Sequence, residues 1–225
     1  MRAAAASNSK KDLVMEPTRL FLIRHGQVIG HHEYRYNGHF DVDITDTGVS
    51  QMNRISELLA HERISAVYSS DLQRSVKGAR IIGERLSIKP VKVRALRELH
   101  LGRWEGLTRE EASARFPEEA AFSFRDLATS RVKGGENLLD LMGRVLPSLF
   151  EIIERHRGGR VCVVAHGGVN RVILSDAMGL PIENFFRIEQ DYGCLNVIDY
   201  FGDGVKVVKL LNGGPNQEMN ATRLY

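Results

Sequence analysis

Two segments of the chain place a histidine directly after an apolar run and follow it with glycine: Phe21-Leu22-Ile23-Arg24-His25-Gly26 and Cys162-Val163-Val164-Ala165-His166-Gly167-Gly168. Apolar runs of this length read as buried strands, and in an open α/β sheet ligands bind in the crevice outside the carboxyl ends of the strands. If the two strands are neighbours, His25 and His166 meet in one pocket, and the glycines let a ligand come close to the backbone. Arg24 adds a planar fork of donors suited to phosphate oxygens. A helix opening behind His166 would add backbone N–H groups and the positive end of its dipole. A further strand end, Tyr68-Ser69-Ser70-Asp71, leads into Leu72-Gln73-Arg74 and puts Arg74 in the first turn of a helix at the same edge. Such a set can hold a phosphoryl group. A neutral imidazole beside it is a nucleophile, and His25 as phosphohistidine would divide one hard transfer into two easier steps. The leaving oxygen then needs a proton, which Glu98, in Arg97-Glu98-Leu99-His100, stands just past a third strand edge to supply.

Each of these residues has a plainer reading when taken alone. A lone strand-end histidine is more often structural, Arg74 reads as a solvated helix charge and Glu98 as an exposed turn acid; the paired strand ends reverse that balance. His31, His32 and His39 could suggest a metal, but no carboxylate stands at a ligand spacing, so they read as a polar loop over the pocket mouth. No metal is expected. Asp41 and Asp43 read as turn and cap residues, Trp104 as packing, and His100 as packing beside the pocket. The chain lacks the phosphate-loop, dinucleotide, nucleophile-elbow and zinc-protease motifs, which removes the enzyme classes that depend on them.

Strands and helices in alternation must position these groups. The spacing predicts a strand over Arg19–Ile23 and a helix near Thr47–Leu59 capped by Thr45 or Thr47. A strand over Ile64–Ser69, a helix over Leu72–Leu86 and a short strand at Val91–Val93 follow. Glu136–Arg157 predicts a long amphipathic helix with Leu138, Met142, Val145, Leu149 and Ile152 on one stripe, widened by Leu139, Leu146, Phe150 and Ile153. Pro147 should bend that helix near Gly143 without breaking it. A strand at Val161–Ala165, a helix over Gly168–Met178 and strands near Leu195–Tyr200 and Val205–Leu210 complete the series. This alternation argues for an α/β sheet, mostly parallel and covered on both faces. Residues 1–17 read as a flexible N-terminal tail and 18–225 as a single domain, with a lid-like insertion at about 104–135.

With 31 basic and 28 acidic side chains among 225 residues, the net charge is +3, and no Lys/Arg block marks a nucleic-acid surface. The 43% hydrophobic and 26% charged composition excludes disorder, collagen and coiled coil. No apolar run approaches a membrane span, and the N-terminus lacks the apolar core of a secretory signal, so cytoplasm is the expected location. Cys162 and Cys194 read as small buried hydrophobes in a reducing compartment, and the Asn220-Ala221-Thr222 sequon as an idle match.

Further segments, Tyr36-Asn37-Gly38, Asp41-Val42-Asp43-Ile44-Thr45 with Gly48, Gly102-Arg103-Trp104-Glu105-Gly106 and Gly134-Gly135-Glu136, join those above in a recognisable order. From Arg19 to about Tyr200 the chain resembles the histidine phosphatase superfamily in its phosphoglycerate mutase-like branch. The resemblance implies a three-layer α/β/α sandwich of the phosphoglycerate mutase-like kind. It implies His25 as the phosphorylated nucleophile, Glu98 as proton donor, Arg24, Arg74 and His166 as the phosphate pocket, and Asn37 and Gly167 as further phosphate contacts. It implies no metal or organic cofactor, a small phosphorylated substrate and inorganic phosphate as product. Gln27 and His31 depart from the Glu and Asn that many members carry, which bears on specificity. Mutases of this branch usually have a longer insertion with an adjacent Arg pair and several prolines, whereas here Arg109, Arg115, Arg125 and Arg131 are isolated and Pro117 stands alone. The expected activity is therefore phosphomonoester hydrolysis, similar to that of α-ribazole phosphatases. The alternatives are a 2,3-bisphosphoglycerate-dependent phosphoglycerate mutase and a non-catalytic phospho-ligand binding protein, and a homodimer is left open.

Overall fold

Near-continuous apolar sequence makes β1 (Thr18–Arg24) and β4 (Arg160–Ala165) the centre of the sheet, because strands buried on both faces must be apolar at every position. They pair in parallel with Ile23 opposite Val164 and Arg24 opposite Ala165. The computed structural model describes residues 16–119, 122 and 126–214, so the sequon and nearly all of the expected tail lie outside the described residues.

β2 (Ala66–Ser69) and β3 (Val91–Lys92) extend the sheet in parallel on the β4 side; β5 (Leu195–Tyr200) and β6 (Lys206–Gly213) extend it on the β1 side. The order is β3-β2-β4-β1-β5-β6. The pairings β1·β4, β2·β4 and β2·β3 are parallel, as expected of a mostly parallel sheet, while β5 runs antiparallel to β1 and β6 antiparallel to β5. The reason lies in the connection. The chain reaches β5 from the carboxyl end of β1, where the Gly193 N–H donates to the His25 carbonyl at 3.0 Å, and a strand starting there has to run back.

Alternation of side chains across the strands divides the core in two. Phe21, Ile23, Cys162 and Val164 pack with Met52 and Ile55 of α1 (Asp46–Leu59) and Ala79 and Ile82 of α2 (Gln73–Leu86). Leu20, Leu22, Val161 and Val163 pack on the other face with helices that come later in the chain. After the short α3 (Arg109–Arg115), these are α4 (Leu138–Arg155) and α5 (Gly167–Met178), which complete the three-layer α/β/α sandwich.

Thr45, and not Thr47, caps α1, its hydroxyl accepting from the Gly48 N–H at 3.0 Å. α4 begins after Asn137, which forms a capping box with Asp140, so Glu136 stays outside the helix. The helix runs through Pro147, which faces solvent. Its apolar stripe differs from the expected one: Leu141 is fully buried, whereas Leu139 and Phe150 are exposed, since the inward face follows Leu138, Leu141, Val145, Leu149 and Ile152. Within the 104–135 stretch, Trp104, Ala112, Leu127 and Val132 are buried in the same cluster as α4, which anchors it to the body of the fold.

Candidate active site

The β1/β4 pairing fixes the two histidines before any ligand is considered. The His25 N–H continues the ladder to the Ala165 carbonyl at 3.0 Å, and the His25 and His166 rings meet edge-on with centroids 5.1 Å apart. Nδ1 of His25 lies 2.9 Å from the Gly26 carbonyl oxygen, which can only accept, so Nδ1 carries the proton and Nε2 keeps its lone pair. Gly26 is required there because a Cβ would overlap the backbone of Gly48. Burial, with the Arg74 and Arg24 guanidiniums alongside, holds both imidazoles well below their ordinary pKa. Both are therefore neutral at pH 7.

Arg74 stands in the first turn of α2 and is 1% exposed. Its guanidinium donates to the carbonyls of Gly38 (2.6 Å) and Phe40 (3.0 Å), which aim it at the cavity floor. Arg24 donates from Nη1 to the Gln190 carbonyl at 2.5 Å and lies 3.9 Å over the Tyr192 ring, while its buried Nε has no partner. Neither arginine faces a carboxylate at ion-pair distance among the described residues. A buried guanidinium and a half-buried one, neither facing a carboxylate, are costly unless an anion arrives to match them.

Glu98 closes the opposite wall. Its carboxylate accepts from the backbone N–H groups of Leu99 (2.8 Å) and Gly168 (3.0 Å), the latter in the first turn of α5. The Glu98 carbonyl is tied to Arg144 and to His39. A cavity of about 230 Å³ results, lined by Arg24, His25, Asn37, Arg74, Glu98, Gly168 and Arg171, with Leu99, Leu127, Phe185 and Phe186 on its outer side. His166 is fully buried behind His25, its Nε2 2.7 Å from the Ser70 hydroxyl and its Nδ1 without a partner. Gly167 opens α5 beside Arg24. Arg24, His25, Asn37, Arg74, Glu98, His166 and Gly167 thus sit together at one end of the sheet.

Tyr192, Ser70, Arg171, Arg144 and Gln190 belong to this site and were not picked out from the sequence. Ser70 and Arg171 lie inside segments already quoted or adjoining them, so their proximity was the available signal; nothing local marks Tyr192, Gln190 or Arg144. His31 lines a second cavity beside the first, and no His/Cys/Asp/Glu group suited to a metal occurs among the described residues. His100 packs on His39, ring centroids 4.6 Å apart. Asp41 accepts from the Gln73 N–H at the start of α2, and Asp43 from its neighbour Ile44 while pairing with Lys77. Both cysteines are buried and free, and burial pushes the Cys194 thiol up to about 11, which makes it a poor nucleophile. No helix among the described residues is long and apolar enough to cross a membrane.

The sequence profile of the histidine phosphatase superfamily (branch 1) matches residues 20–213. Phosphoglycerate mutase-like protein 4 of Arabidopsis thaliana is 39% identical over 161 residues, 70% of each chain. Glucosyl-3-phosphoglycerate phosphatase of Mycolicibacterium vanbaalenii is 35% identical over 179 residues, 76% of this chain and 79% of that one. Among solved structures, the α-ribazole phosphatase of Shigella flexneri superposes with a TM-score of 0.81 over 87% of this chain and 96% of its own; at 24% identity it speaks to the fold.

Proposed function

The chain belongs to the histidine phosphatase superfamily (branch 1), and from that premise we propose that it hydrolyses a small phosphomonoester through a phosphohistidine on His25. One observation carries the reading: the free Nε2 of a neutral His25 stands beside two guanidiniums that lack carboxylate partners, with a fixed carboxylate across the cavity. Arg24 and Arg74 supply the charge that a phosphate dianion needs, and the opening turn of α5, at Gly167 and Gly168, adds backbone dipole. Asn37 lines the same cavity and supplies amide donors to the phosphate oxygens. His166, held by Ser70, offers its unpartnered Nδ1 as a further donor.

Nε2 attacks phosphorus as the bond to the leaving oxygen breaks, and Glu98, entering the step in its protonated form, hands that oxygen its proton. Water then attacks the phosphohistidine, Glu98 takes its proton, and inorganic phosphate leaves with His25 restored. The positive charge comes from arginines and helix dipole, so turnover should persist in EDTA.

The test is p-nitrophenyl phosphate hydrolysis in EDTA by wild type and His25→Ala, with parallel incubations of 3-phosphoglycerate with and without 2,3-bisphosphoglycerate. Removal of the nucleophile should cost at least about 10³-fold, as loss of nucleophiles does in other covalent enzymes, with the circular dichroism unchanged. A variant that keeps substantial turnover would defeat the assignment, and efficient bisphosphoglycerate-dependent isomerisation would make the protein a mutase.

A further inference from the structure

The charge pattern around the cavity separates the seat of the phosphate from the rest of the pocket. Among the described residues, Arg24 and Arg74 are the two lining arginines without a carboxylate partner, and two is the charge of a phosphate dianion. The other two arginines that line the cavity among the described residues are matched, Arg171 by Glu189 at 3.8 Å and Arg35 by both Glu33 and Glu111 at 2.6 Å, as are Arg97 by Asp71 at 2.6 Å and Arg144 by Glu136 at 2.7 Å behind it. Among the described residues that line the cavity, a second anion on the substrate would find no further arginine or lysine without a carboxylate partner, and beside Arg35 it would meet one more carboxylate than the guanidinium neutralises.

A second cavity, of about 320 Å³, adjoins the first and shares Arg24, Arg35, Asn37 and Tyr192 with it. Its remaining wall is Gly30, His31 and Tyr34. Tyr34 is 84% exposed and holds a φ of 52°, a left-handed conformation that a bulky residue adopts at a cost. An exposed aromatic ring kept at such a place, on the wall of a cavity that Tyr192 also lines, is a surface for a flat group. Resting on the phosphatase reading above, we propose that the leaving group is an uncharged, ring-bearing alcohol of the sugar or nucleoside kind, which lies in this outer cavity against Tyr34 and Tyr192 while its phosphate occupies the inner one.

Four alkyl esters of similar leaving-group chemistry test this: a purine nucleoside 5′-monophosphate, a pyrimidine nucleoside 5′-monophosphate, glucose 6-phosphate and 3-phosphoglycerate. The ring-bearing uncharged leaving groups should exceed the carboxylate-bearing one in kcat/KM by tenfold or more. Tyr34→Asn keeps a residue that accepts the left-handed conformation and removes the ring, and it should raise KM for the preferred ring ester about five- to tenfold. Equal or better use of 3-phosphoglycerate, or an unmoved KM in Tyr34→Asn, would overturn the inference while leaving hydrolysis through His25 intact. Absence of phosphate release from every ester, p-nitrophenyl phosphate included, would remove both.

Discussion

At His25 a single hydrogen bond decides which ring nitrogen is left free. The Gly26 carbonyl selects the tautomer, and the surrounding arginines with full burial keep the ring neutral, so no proton has to leave before attack. The same depression has a stability cost at low pH. Folded, His25 and His166 stay neutral; unfolded, each binds a proton below about pH 6.5, so stability present at neutral pH is lost as the pH falls through that value. His39 and His156, lowered by their own burial, add to the slope. Urea midpoints measured without phosphate should fall clearly between pH 7.5 and 5.5, and a flat profile would contradict buried neutral histidines. Glu98 makes a different prediction. Glu98→Gln keeps an acceptor for the Gly168 N–H but has no proton to give, so alkyl phosphates should slow by about 10²-fold or more while aryl phosphates, whose leaving groups need no proton, lose far less. Equal losses on both would rule out the donor role.

The elements explain why those residues arrive at the right distance. α5 starts immediately after β4, so its first turn, the His166 ring and the Glu98 carboxylate share one small volume. Gly168 leaves the room: a Cβ there would run into Oε1 of Glu98. Gly168→Ala should therefore push the carboxylate off the helix terminus and lower kcat on alkyl phosphates about tenfold or more, with the melting temperature changed by only a few degrees because the helix itself gains a better former. Unchanged kcat would show that the Glu98 position is not set by α5. Arg144 does the complementary work from α4, donating to the carbonyls of Ala95, Arg97 and Glu98 and so holding the segment that carries the carboxyl. The 104–135 stretch enters through Leu127, which lines the cavity, and its burial against α4 makes it a wall whose inner edge is well anchored.

At the scale of the whole molecule, the site sets two guanidiniums without carboxylate partners, among the described residues, at one end of the sheet. Filling it should stabilise the fold by mass action, about 2.7 kcal/mol at a phosphate concentration of 100 times its Kd. Thermal melts in phosphate against chloride at equal ionic strength should show a rise of several degrees that disappears in Arg74→Met; no rise in wild type would mean that the cavity does not bind the anion. The amino-acid sequence by itself singled out His25, His166, Arg24, Arg74 and Glu98 as candidates, and the alternating elements that carry them, because each is announced by a local pattern: an apolar run, a glycine after a histidine, a helix start. It also contained a period that was misread, since Leu141 and Leu139 are both compatible with a helical stripe and only the packing of α4 on the sheet selects the first. The return of β5 against β1 was decided by where the preceding loop begins in space, which no periodicity encodes. Tyr192 under Arg24, the Gln190 carbonyl that aims the guanidinium, and Ser70 on His166 join residues about 96 to 168 positions apart, and such partners are brought together only when the sheet order places their strand ends side by side.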